Sequence, residues 1–124
     1  MMKHCILISG STIALDTKLV TELKKIAAVV TNLDNSNVES FIENTQVDLI
    51  LLEILNERHS EIEMTKTIKS RYPRVEIILI NGEGNQDLIA KAFKYGARDA
   101  FRKPYKIALI VERVNAILRS KLKS

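Results

Sequence analysis

The chain has 124 residues, 46% hydrophobic and 27% charged, with a formal net charge of +4. That length and mix suit one folded domain with a single core and exclude a disordered, fibrous or two-domain chain. No apolar run reaches membrane-spanning length, no secretory signal precedes the first strand-like segment, and the lone Cys5 has no disulfide partner, so a single cytoplasmic domain over 1–124 is expected.

Apolar, partly β-branched runs recur at Cys5 to Ile8, Ala27 to Val30, Val47 to Leu52, Val75 to Ile80 and, more weakly, Ala100 to Phe101. Segments of helical periodicity separate them, so strand and helix alternate five times. The unbroken apolarity of the third and fourth runs predicts strands covered on both faces, in a doubly wound parallel α/β sandwich. Ser36 with Glu39, and Ser60 with Glu63, have capping-box spacing and mark two helix starts. A helix beginning near Gln86 carries Leu88, Ile89, Ala92 and Phe93 on one side and is placed to end at Gly96. The helix after Pro104 has Ile107, Ile110, Val111, Val114, Ile117 and Leu118 on its inner stripe, which leaves Leu109 outside it. Cys5 reads as a buried strand residue.

In an open α/β sheet, functional groups gather beyond the carboxyl ends of the strands. Those ends carry Ser9 and Gly10, Glu53, Asn81 and Gly82, and Lys103 with Pro104. Two stretches there are distinctive: Asp48 to Ile54, read as DLILLEI, and Tyr95-Gly96-Ala97-Arg98-Asp99-Ala100-Phe101-Arg102-Lys103-Pro104-Tyr105. Together, at this spacing, they resemble a response-regulator receiver domain of the CheY-like family, and the resemblance covers nearly the whole chain. It implies a flavodoxin-like (βα)5 fold with strand order 2-1-3-4-5 and a place in two-component signal transduction.

The resemblance also shows where the chain departs from the pattern. Receivers have an acidic pair after strand one, a phospho-accepting aspartate after strand three, a Ser or Thr after strand four, an aromatic in strand five, and Lys-Pro after it. Here those places hold Ser9 and Gly10, Glu53, Asn81, Ala100, and Lys103-Pro104, so only the last survives. Glutamate sets its carboxylate about 1.5 Å further from the backbone than aspartate does, and without the acidic pair Mg²⁺ binding is not expected. The implied reading is a degenerate pseudo-receiver, not an enzyme, that acts through protein contact without phosphorylation. A working Mg²⁺-dependent phospho-acceptor and a small-anion sensor in the vacated pocket are the alternatives. Glu53 either imitates a phosphorylated aspartate, pairing with Lys103 and accepting from the Asn81 amide, or simply neutralises Lys103, and the second is favoured.

The family signals through the face built from its fourth helix, fifth strand and fifth helix. That face carries Lys91, Lys94, Arg98, Arg102, Lys106 and Arg113, with Ala100 and Leu109 as a small apolar centre. The expected partner is a signalling protein or output domain, with a homodimer through the last helix and strand as an option. Asp99 and Arg113 occupy salt-bridging places of dimer-forming receivers. From Arg102 to the end there are seven basic residues against the single Glu112. Without aromatic interleaving or a recognition motif, this reads as a solvated helix face and not as a nucleic-acid site. The hydroxyl-rich turn Ile8 to Thr12 reads as a simple connection, the Asn81 to Asn85 stretch as a loop over the pocket mouth that could admit a ligand or simply connect two elements, and His4 and His59 as solvated or loop histidines.

Overall fold

The computed structural model describes residues 3–55, 60–81 and 86–122. Five parallel strands, β1 (Cys5–Ser9), β2 (Ala28–Asn32), β3 (Leu49–Glu53), β4 (Glu76–Asn81) and β5 (Asp99–Arg102), form one sheet in the order β2-β1-β3-β4-β5. Between and after them run α1 (Thr17–Lys24), α2 (Val38–Asn44), α3 (Ser60–Arg71), α4 (Gln86–Lys94) and α5 (Ile107–Leu122). This is the doubly wound order 2-1-3-4-5 implied by the resemblance.

Pleating sends alternate residues to opposite layers. Ile6, Ile8, Leu49, Leu51, Ile78 and Ile80 pack with α1 and α5, while Leu7, Ile50, Leu52, Ile77 and Leu79 pack with α2, α3 and α4. β2, β3 and β4 start one to two residues later than their apolar runs, β5 starts one residue earlier, and all five strands end on polar residues. Ser9, Glu53 and Asn81 all keep their places in the parallel ladder, because backbone hydrogen bonding does not stop where side-chain polarity begins.

Helix ends follow local chemistry more than the capping-box spacing suggests. Ser36 does not cap α2. Asp34 does the capping work one turn earlier, accepting from the Ser36 N–H at 3.0 Å, so a short 3-10 turn over Asn35–Asn37 leads into the helix. Glu39, freed from a capping role, pairs with Arg71 at 3.2 Å. Ser60 is the first residue of α3 and Glu63 reaches Lys91 at 3.4 Å, while the residues before Ser60 lie outside the described ones. At α1 the cap is Asp16, which accepts from the Leu19 N–H. Gly96 ends α4 as expected. Its φ of +109° supports paired bonds, Gly96 N–H to the Phe93 carbonyl and Ala97 N–H to the Ala92 carbonyl.

Two burial expectations are corrected. Cys5 is half-buried at the start of β1, and burial together with the Asp48 charge pushes its thiol pKa up. Phe93 turns outward and is 45% exposed, since the helix presents Ala92, one position before it, as the buried residue of α4. The inner stripe of α5 is as expected, with Ile110, Val114, Ile117 and Leu118 buried and Leu109 51% exposed.

Candidate functional site

Strand parity divides the residues at the strand ends. Glu53 follows Leu49 and Leu51 toward the α1 and α5 layer, whereas Ser9 follows Leu7, and Asn81 follows Ile77 and Leu79, toward the opposite layer. Gly10, Glu53 and Lys103 therefore meet, and Ser9 is drawn elsewhere.

Glu53 is fully buried. Its Oε1 accepts from the Thr12 N–H at 2.9 Å and the Ile13 N–H at 3.3 Å. Its Oε2 accepts from the Thr12 hydroxyl and from the Lys103 ammonium, and Lys103 Nζ also reaches Thr12 Oγ1 at 3.0 Å. Both carboxylate oxygens are thus satisfied inside the protein. Burial pushes the Glu53 carboxyl up, but the Lys103 ammonium, the Thr12 hydroxyl and the two N–H groups outweigh it, and its pKa ends below the usual carboxylate range.

This arrangement overturns the reading of the Ile8 to Thr12 turn as a simple connection. Its last amide, at Thr12, and the next one, at Ile13, do bind an anion, and the anion is the chain's own Glu53. The turn, and not the Asn81 amide, supplies the N–H donors. Asn81 instead anchors Lys103 through the backbone, its carbonyl accepting the Lys103 N–H at 2.8 Å.

Gly10 explains how the turn comes so close. Its φ is +148°, and a Cβ added there would lie 2.3 Å from both Glu53 Cβ and Glu53 Oε1. Only glycine allows that approach. Next to it, Ser9 Oγ donates to Asn35 Oδ1 at 2.7 Å and accepts from Asn32 Nδ2 at 3.0 Å. Asn35 in turn donates to the Glu53 backbone carbonyl at 2.8 Å and to the buried Glu61 carboxylate at 3.0 Å. A polar tie thereby joins the ends of β1 and β3 to the first turn of α3.

Thr12, Asn35 and Glu61 were not singled out by sequence reading. Thr12 carried a faint signal as the last hydroxyl of the turn. Asn35 and Glu61 carried none, since a polar residue in a loop and an acid at a helix start are ordinary. Tyr105 was also missed as a contributor. Its hydroxyl donates to Asp16 at 2.6 Å, fastening the start of α1 to the segment before α5, and burial with the Asp16 and Glu53 charges pushes its pKa well up.

The profile of the response regulator receiver domain matches residues 12–115. The chain belongs to this family. Such domains are the receiver modules of two-component response regulators. Over 93 residues, 75% of the chain and 76% of the relative, this receiver domain is 28% identical to the chemotaxis protein CheY of Thermotoga maritima. It is 24% identical over 86 residues to response regulator RR06 of Streptococcus pneumoniae, covering 69% of the chain but only 39% of that longer protein. A CheY-like receiver domain protein from Methanospirillum hungatei shares the fold with a TM-score of 0.87 at 19% identity, covering 98% of both chains.

The output-face residues fall into two groups. Ala100 packs on the α4 side, with Leu88 and Tyr95, whereas Phe101 packs on the α5 side. Ala100 and Leu109 therefore do not form one apolar centre as expected, because adjacent strand residues point to opposite layers. Leu109 instead shares a groove of about 430 Å³ with Phe101 and Ala116. Lys91 pairs with Glu63, Arg98 with Glu76, and Arg113 with Asp99 at 2.7 Å within the same chain. Pro104 follows Lys103 through a cis peptide bond and is exposed. His4 is half-buried and lines a separate cavity with Asp48, Tyr72 and Arg74 at the amino end of the sheet, while Gly82 to Asn85 and His59 lie outside the described residues. No helix among the described residues is long and apolar enough to cross a membrane.

Proposed function

We propose that the chain is a pseudo-receiver: a phosphorylation-independent protein-interaction module in which Glu53 stands at the phospho-acceptor position. One observation carries the reading. The Glu53 carboxylate is fully buried and both its oxygens are occupied by Thr12, Ile13 and Lys103. An acceptor must present a free oxygen to the incoming phosphorus, and this one presents none.

The residues present do not fit the Mg²⁺ ion that the family implies. Such an ion takes near-octahedral oxygen ligands. Here the Glu53 oxygens face N–H, hydroxyl and ammonium donors, Gly10 has no side chain to offer, and the Ser9 hydroxyl is tied to Asn35 and Asn32. Lys103 supplies the positive charge a cation would bring. Glu53 works mainly as its neutralising partner, because an unpaired ammonium or carboxylate at this depth would cost several kcal/mol. The partner class that follows is a signalling protein or output domain, and the face between α4, β5 and α5 is where it would dock.

Incubation with acetyl phosphate and Mg²⁺ tests the reading. Intact mass should remain that of the unmodified chain, and a hydrolytically labile phosphate adduct on Glu53 would overturn it.

A further inference from the structure

We infer that two copies of this chain pair edge to edge through β2, antiparallel about a two-fold axis at Val30, and join their five-stranded sheets into one.

The sequence sets this edge apart. From Ile26 to Leu33 the chain reads IAAVVTNL, without a charge, a proline or a glycine. Proteins keep outer strands from pairing with other chains by placing charges, prolines or bulges on them. β5, the other outer strand, follows that rule, opening on Asp99 and ending on Arg102, with Arg98 before it and Lys103 after it. β2 carries none of these protections, its register with β1 runs without a bulge, and Leu33 just beyond it is 54% exposed.

The backbone shows which groups the edge offers. Along a strand in a parallel ladder, alternate residues turn their N–H and C=O toward the same neighbour. The Ala28 N–H donates to the His4 carbonyl at 2.9 Å and the Asn32 carbonyl accepts the Gly10 N–H at 2.9 Å, so Ala28, Val30 and Asn32 face β1. Val29 and Thr31 therefore direct their backbone groups outward, where nothing among the described residues pairs with them. Ala28 and Thr31 are exposed, and Val29, Val30 and Asn32 are half-buried, so the edge is accessible.

A second copy is the occupant that matches. Antiparallel pairing centred on Val30 sets Val29 of each copy opposite Thr31 of the other, and each such pair exchanges both its N–H···O bonds. The two Val30 residues then meet at the closer, non-hydrogen-bonded spacing, a β-branched pair that stabilises sheets. Just beyond, the Lys25 end of one strand adjoins the Asp34 end of the other, and both residues are exposed. Lys25 already holds Glu22 at 2.8 Å, but so exposed a pair is weak and leaves the ammonium able to serve both. A parallel arrangement would set like charge beside like. Because the contact is isologous, it closes at the dimer. β2 and β5 lie at opposite edges of the sheet, so each copy keeps its face between α4, β5 and α5 open, and the dimer presents two docking faces. That bivalence rests on the docking reading above; the pairing itself does not.

Sedimentation velocity of the whole chain over roughly 10 μM to 1 mM, the range suited to so short an interface, tests the pairing. The mass should rise toward that of a dimer and stop there. Thr31→Pro removes an outward N–H and Thr31→Lys charges the edge, and each should weaken the dimer by roughly tenfold or more. Thr31→Lys, at an exposed position, should keep the parent melting temperature, which separates loss of pairing from loss of fold. In a Cys5→Ser background, Val30→Cys should cross-link two copies on mild oxidation, whereas Val29→Cys, whose counterpart lies on the diagonal, should not. A chain that stays monomeric throughout the range, a dimer that Thr31→Lys leaves intact, growth beyond the dimer, or cross-linking at Val29 in place of Val30 would each overturn the inference. Failure of the docking reading looks different: the dimer and its Val30 cross-link would remain, and only binding of partners to the α4, β5 and α5 face would be lost.

Discussion

Gly10→Asp should destabilise the protein before it creates any metal site. This change would return one acid of the missing pair to the turn after β1, and on chemical grounds alone it looks like a step toward Mg²⁺ binding. The geometry predicts otherwise. The new Cβ would fall 2.3 Å from Glu53 Cβ and Oε1, on a backbone at φ +148° that side-chain-bearing residues rarely adopt. A second carboxylate would also be set beside the buried first one. The expected cost is about 3 kcal/mol or more, a fall in melting temperature on the order of 10 °C. Because one of the clashing atoms is Cβ, shortening Glu53 to alanine in the same chain should relieve the strain only in part. Melts with and without Mg²⁺ check this. A Gly10→Asp chain that melts near the parent temperature and gains stability from Mg²⁺ would show that the turn opens more readily than its packing implies.

Lys103→Met should be comparably damaging, by electrostatics in place of sterics. It leaves a fully buried carboxylate with neutral donors only, a loss of about 3–5 kcal/mol for breaking such a pair. The side chain of Lys103 is 30% exposed, so solvent screening places the expected value at the lower end. Adding Glu53→Gln to Lys103→Met should recover much of the loss, since no charge then remains stranded. The pH dependence supplies an independent readout. In the parent, the Glu53 pKa is depressed in the folded state, so its contribution is present above the unfolded carboxyl pKa of about 4.3 and is lost as pH falls through the lower folded value. Removing Lys103 takes away the largest of the influences holding that pKa down and leaves burial, which raises it. The acid-side slope of stability should therefore flatten in Lys103→Met. Denaturant melts between neutral and acid pH measure both effects, and an unchanged slope would mean that the ion pair contributes little.

The fold was legible in the sequence because its signals are repetitive. Five apolar runs alternating with helical periodicity specify a parallel sheet, and DLILLEI with the Gly-Ala to Lys-Pro stretch specifies the strand order through resemblance. The pairing of Glu53 with Lys103 was also legible, since a buried carboxylate and a nearby ammonium at adjoining strand ends have strong reason to meet.

What escaped was whatever depends on direction. Ala100 and Leu109 were grouped as members of one signalling face, but the pleat assigns Ala100 to one layer and leaves Phe101 as the neighbour of Leu109. Phe93 matched the inward stripe of α4 by spacing, yet Ala92 took the buried place. Ser36 had capping spacing, but Asp34 capped first. The closure of the β1 turn onto Glu53 was hidden for a different reason. It requires knowing that Gly10 lacks a side chain where β3 ends, which is a statement about three dimensions that a motif of small and hydroxyl residues does not make.

The central claim is that Glu53 is internally satisfied and that the domain stands in one state without phosphorylation. Its most direct test is an amide NMR spectrum titrated with Mg²⁺ and then with beryllofluoride, a phosphoryl mimic. The account predicts no saturable shifts at Thr12, Glu53, Asn81 or Lys103. Saturable shifts at those residues, spreading to α5, would contradict it and show that the pocket still opens to bind and switch.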